Sequence, residues 1–223
     1  MEENNNIEII GEILKKLEFS HETHNEKFYS TVVSVKRLSG DTDELELIIS
    51  EKTTNLEDIE VGKKYNIKGE IRSYNYYIKE EERRKLIITV FVKEMSIIEN
   101  IENEEEECKN ELVIIGHICK KPIYRKTPFG REISDLLVAV NRVYGKSDYL
   151  PCIVWGRNAK FATQLEIGDK IKITGRMQSR SYTKEIGDKK TTKVAYEISA
   201  ATLEKVEEKE KEKEELELES SEK

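Results

Sequence analysis

The chain has 223 residues, of which 37% are charged and 37% hydrophobic, and a net charge of −7. That length suits two domains of about 100 residues, and no apolar run approaches the roughly 18 residues that a bilayer crossing needs, so a cytoplasmic location is expected and a membrane role is not. Three cysteines, Cys108, Cys119 and Cys152, show neither CxxC nor Cys/His spacing, which argues against a disulfide framework and for reduced thiols, Cys119 and Cys152 lying inside apolar strand patterns.

In chain order, residues 1–98 hold a first set of alternating apolar stretches with a weak helical pattern at 53–59. Residues 7–98 carry 15 Lys and Arg against 18 Asp and Glu, so this half is slightly acidic. Residues 99–110 are glutamate-rich and read as a solvated linker. Residues 111–204 hold five apolar strand patterns, at about 111–121, 131–143, 147–155, 170–182 and 192–204. Between the third and fourth, Ala159, Ala162 and Leu165 recur at helical spacing over 157–165, and Gly168 ends the pattern. Residues 112–203 carry 17 Lys and Arg against 8 Asp and Glu, an excess of 9 cations that points to an anionic partner. Residues 205–223 alternate Glu and Lys and are expected to be a disordered tail.

The two halves repeat each other. At an offset of about 105 residues, Ile9-Ile10-Gly11-Glu12-Ile13 falls on Ile114-Ile115-Gly116-His117-Ile118. Val33, Val35, Arg37, Gly40, Asp43, Leu45 and Ile48 fall on Val138, Val140, Arg142, Gly145, Asp148, Leu150 and Ile153. After one inserted residue, Gly62, Lys64, Ile67, Gly69, Ser73 and Tyr76 fall on Gly168, Lys170, Ile173, Gly175, Ser179 and Tyr182. Two copies of this length indicate duplication of a whole domain rather than a solenoid. Five strands with a helix between the third and fourth is the order of an OB-fold, so the expectation is an all-β protein of two tandem five-stranded OB-fold barrels, each with a short helix.

Unpaired nucleotides need cations along the phosphates and flat rings for the bases. Tyr149 and Trp155, six residues apart on one strand, emerge from one face of it, and Arg176, Gln178, Arg180, Tyr182 and Lys184 share a parity on the next. Leu150, Cys152, Val154, Ile171 and Ile173 are left for the core. Arg125, Lys126 and Arg131 flank the turn Thr127-Pro128-Phe129-Gly130, and Arg142 and Lys146 bracket the Tyr144-Gly145 hairpin, adding cations beside the same face. In the first copy Glu44 and Ser50 stand where Tyr149 and Trp155 stand in the second, leaving Arg72, Tyr74 and Tyr76 as a shorter, weaker equivalent.

The second copy resembles the bacterial single-stranded DNA-binding protein family. The resemblance runs through Gly116, Pro122, Arg125, Thr127 and Gly130; Ala139-Val140-Asn141-Arg142; Asp148-Tyr149 with Cys152-Ile153-Val154-Trp155-Gly156; Ala159; Gly168-Asp169; and Gly175-Arg176-Met177-Gln178-Ser179-Arg180-Ser181-Tyr182. It implies base stacking at Tyr149, Trp155 and Tyr182, phosphate contacts at Arg125, Arg180 and neighbouring cations, and a homodimer presenting four barrels. It also implies service in replication, recombination and repair. The family commonly ends in an acidic tail with a hydrophobic tip that recruits replication and repair enzymes; here the last residues are Ser220-Ser221-Glu222-Lys223.

An enzyme finds little support. His21, His24 and His117 are the only histidines, and no Walker loop, GxSxG elbow or HExxH occurs, so no catalytic residue, metal or cofactor is expected. An OB-fold adaptor or an RNA binder remains an alternative, because fold alone excludes neither and stacking does not involve the 2′-OH.

Overall fold

Alternation of apolar and polar residues in the sequence becomes alternation of buried and outward side chains in the barrels. Our computed structural model describes residues 4–78, 82–101, 103–142, 144–186 and 189–206. The first half contains β1 (Asn5–Ile13), β2 (Glu18–Thr23), β3 (Glu26–Lys36), β4 (Thr42–Ser50), β5 (Lys64–Ile78) and β6 (Arg83–Ile97). After the helical turn α1 (Glu104–Glu107), the second half contains β7 (Asn110–Ile118), β8 (Ile123–Lys126), β9 (Glu132–Asn141), β10 (Ser147–Trp155), α2 (Gly156–Ala162), β11 (Lys170–Ile186) and β12 (Lys189–Lys205).

Each half closes on itself. β1 pairs with both β3 and β5, β4 pairs with β3 and runs parallel to β6, and β5 pairs with β6. β7, β9, β10, β11 and β12 repeat that circuit, with β10 parallel to β12 through Cys152–Ile198 and Ile153–Ser199. The result is two five-stranded barrels, each with a sixth short strand, β2 or β8, laid on the outer edge of β3 or β9. The cores are aliphatic: Leu150, Val154, Ile171 and Ile173 are fully buried, Cys152 nearly so, and Ile9, Val33, Leu45 and Ile67 fill the corresponding places in the first barrel. Cys119 is only half-buried. Gly69 and Gly175 sit at matching register shifts of the long hairpins; a Cβ there would lie 2.2 Å from the carbonyl oxygen of Phe91 or Ser199.

The helical expectations hold in part. α2 begins at Gly156, ends at Ala162, and buries Ala159 and Ala162 against the barrel. The 53–59 pattern forms only a short 3-10 turn, Leu56–Asp58, capped by the side chain of Asn55. The linker departs from expectation: it is docked rather than solvated. The Lys109 carbonyl accepts from Ile10 N at 3.0 Å, and Glu107 holds Lys36 at 2.8 Å and Lys64 at 2.5 Å. The expected tail lies, from residue 207 onward, outside the described residues.

The barrels are joined by antiparallel pairing of β1 with β7, centred on Ile7–Leu112. The junction has near two-fold symmetry. Asn5 brackets Ile71 with two hydrogen bonds, from Nδ2 to the carbonyl at 2.8 Å and from Ile71 N to Oδ1 at 2.9 Å; Asn110 does the same to Met177 at 2.8 and 3.0 Å. Beyond it, each barrel clasps the other's long hairpin. The carboxylate of Asp148, wholly buried, takes Arg142 in a two-pronged contact and Ser73 N at 2.5 Å; Asp43, equally buried, takes Arg37 and Ser179 N at 2.7 Å.

Candidate nucleic-acid interface

β10 positions the centre of the site. Leu150, Cys152 and Val154 face the core, so alternation turns Tyr149, Pro151, Ile153 and Trp155 to the opposite face; Ile153 is covered there, whereas Tyr149 and Trp155 are 44% and 37% exposed. The backbone N–H of Tyr149 donates to Ser73 Oγ of the other barrel at 2.8 Å, which fixes the root of that ring beside the first barrel's hairpin. Trp155 stands at the strand–helix junction, where Gly156 adopts φ 56° and turns the chain into α2.

β11 forms one border. Arg176 is half-buried and donates to Gln178 Oε1 at 3.3 Å, while Gln178, itself buried, donates to Glu197 Oε1 at 2.9 Å. Arg180 is more exposed and reaches the same Glu197 oxygen at 3.4 Å. The backbone of Tyr182 and Lys184 continues β11 opposite Lys193 and Thr191, but their side chains lie outside those described.

The cations divide into two groups. Lys126 and Arg131 are exposed at the turn between β8 and β9, and Lys146 is exposed at the next hairpin. Arg125, by contrast, makes a two-pronged contact with Asp135 at 2.6 and 3.1 Å, and the hydrogen bonds to that carboxylate hold its guanidinium pKa up. Arg142 is occupied by Asp148 and by the Ser73 carbonyl at 3.3 Å, which makes it a fastener between barrels rather than an open phosphate ligand. Arg72 is placed similarly: it meets Glu70, lies 3.4 Å from Asp148, and covers the Phe91 ring at 5.7 Å. Tyr74 and Tyr76 do stand open on the first barrel, 45% and 58% exposed.

Two rings not singled out in the sequence stand at the tips of the cationic turns. Phe129 and Tyr144 are both 93% exposed, one beside Arg131 and the other beside Lys146. An aromatic residue at the apex of a turn that also bears cations was the available signal. The surface as built offers flat apolar faces and positive charge together, which suits a flexible polyanion with exposed bases.

A family model for the single-strand binding protein family matches residues 109–206. The matched stretch coincides with the second barrel, Asn110–Lys205. Over 88 residues this chain is 35% identical to the single-stranded DNA-binding protein of Clostridium tetani, and over 87 residues 31% identical to single-stranded DNA-binding protein A of Bacillus subtilis. Each match takes in 36% of this chain, and spans 61% and 51% of the two relatives' own lengths. The wild-type single-stranded DNA binding protein from Thermus aquaticus superposes with a TM-score of 0.71 at 16% identity, covering 91% of this chain and 93% of that one. A deletion mutant of the same Thermus protein gives 0.67 at 18% identity, covering 92% and 95%. The likeness to the Thermus chains is one of fold, and it extends beyond the matched stretch to take in the first barrel.

Proposed function

We propose that the chain binds single-stranded DNA without sequence preference, through the outward face of β10 and the cationic turns around it, and thereby protects single strands in replication, recombination and repair. The observation that supports this most is the joint exposure of Tyr149 and Trp155 on one strand face bordered by Arg176 and Arg180. Bases stack on the two rings, each stacked base contributing about 1–3 kcal/mol by alanine substitution. Phosphates meet Lys126, Arg131, Arg180 and, on β11, the position of Lys184, releasing counterions as they do, while the position of Tyr182 adds a third stacking ring. No step of this needs a cofactor, and the role is one of binding rather than catalysis. Two chains assemble to present four barrels.

Trp155 is the only tryptophan, so its emission reports on the site. Titration with oligo-dT quenches it strongly at low salt and less at high salt, and Tyr149→Ala weakens binding by about tenfold or more. A full titration that leaves Trp155 emission unchanged, with no shift of the oligonucleotide on a gel, overturns the reading.

A further inference from the structure

The junction's symmetry crosses an outer strand face of each barrel with the other barrel's hairpin, β11 over β4 and β5 over β10, and the two angles so formed, here called grooves, differ in charge. Glu44 N donates to Ser179 Oγ at 3.1 Å just as Tyr149 N donates to Ser73 Oγ at 2.8 Å, so Glu44 occupies the place of Tyr149 in space as well as in sequence. The β3–β4 and β9–β10 registers extend the match, with Val32–Glu46 falling on Leu137–Pro151 and Phe28–Ser50 on Ile133–Trp155. The floor of the first groove is therefore Glu44, Glu46, Ile48 and Ser50, where the second has Tyr149, Pro151, Ile153 and Trp155. Ser50 is buried and donates to Glu26, whereas Trp155, at the matching place in the second barrel, stays part-exposed.

Rings are not what the first groove lacks. Tyr74 and Tyr76 rise from its own hairpin, and Tyr196 comes from the second barrel, opposite Ser179 on the hairpin face that crosses β4. Burial first, and then the field of Glu46, push the Tyr74 hydroxyl pKa up; burial and then Glu46 and Glu44 do the same to Tyr196. The two carboxylates thus lie within electrostatic reach of the rings on both walls, where a phosphate chain would have to pass.

We propose that Glu44 and Glu46 are the residues that exclude single-stranded nucleic acid from the first barrel, and that neutralising them opens a second groove lined by Tyr74, Tyr76 and Tyr196. The proposal rests on the reading that the second barrel binds single strands. Like charge repels the phosphates whether or not rings are present, and the repulsion is strongest at low salt, where the second barrel binds best. The groove is an aromatic site of latent competence, held shut by two side chains.

The test uses the full chain, poly-dT and calorimetric stoichiometry at low salt, with Trp155 emission followed in parallel. In the Glu44→Gln/Glu46→Gln double variant, the nucleotides occluded per chain rise by about 4–16, one barrel's worth, and affinity for a long oligo-dT rises about tenfold. The rise disappears when Tyr74→Ala and Tyr76→Ala are added, while Trp155 quenching persists. Glu44→Gln alone, at an exposed position, gives a smaller gain and needs no change to the half-buried Glu46. A folded double variant with the parent's stoichiometry, or a gain that survives loss of the tyrosines, overturns the proposal. Failure of the parent to quench Trp155 at all would instead overturn the reading of the second barrel.

Discussion

At the scale of single residues, exposure and partnership separate two kinds of cation that the sequence presents alike. Arg142 lies in a cationic hairpin beside a candidate stacking ring, which is why it reads as a ligand, yet its guanidinium is committed to Asp148 and to Ser73 of the other barrel. A signal against the ligand role was present: Arg37 and Asp43 match Arg142 and Asp148 across the repeat although the first half is acidic. A charge pair kept in both copies regardless of local charge points to architecture. Asp148 is fully buried, and removing one partner of a buried pair leaves the other's charge uncompensated. Asp148→Ala therefore lowers the unfolding free energy by about 3 kcal/mol, read from urea unfolding of the full chain. Arg125→Ala, which breaks a pair exposed on both sides, costs less than about 1 kcal/mol. Arg142→Ala falls with the first in stability, and changes oligo-dT affinity less than Arg180→Ala does.

At the scale of elements, the five strands of each barrel were legible because each has an apolar face long enough to show its period, as Leu150, Cys152 and Val154 do on β10. β2 and β8 were not, since they are six and four residues long, exposed throughout, and lack a buried face to impose alternation. The linker was misjudged for a related reason. A run of glutamates reads as solvated when its partners are distant in sequence, and Lys36 and Lys64 are such partners of Glu107. Hydrogen bonds from these two lysines hold the Glu107 carboxyl down to about 2, from an ordinary 4.5. Because the folded value is the lower one, this contact stabilises the fold at pH above about 4.5, and the contribution is lost as pH falls through the interval toward 2. Glu107→Gln should consequently lower the melting temperature at pH 7 and narrow the difference from the parent in acid. A constant offset between the two across pH 2–7 would contradict the assignment.

At the scale of the whole molecule, β1 and β7 make the two barrels parts of one sheet, twelve-stranded among the described residues, and the paired aspartate clasps fasten it beyond the strands. Repeat matching established that there are two barrels but could not supply their mutual placement, because both strands at the seam look alike as pieces of separate barrels. A shared seam couples their unfolding. The intact chain should melt in a single calorimetric transition, whereas Asp43→Ala together with Asp148→Ala should separate it into two. Two transitions in the parent would mean that the seam contributes little.

The seam also bears on how the chain is made. A ribosome delivers the first barrel before β7 exists, so the outer edge of β1 emerges with its amide and carbonyl groups turned to water, an open template for any neighbouring strand. The span between Ile97 and Asn110 is short, and its attachment to Lys36 and Lys64 directs the nascent polypeptide back toward that edge. Translation itself thus covers the exposed strand within moments, with the sister barrel arriving in place of a stranger.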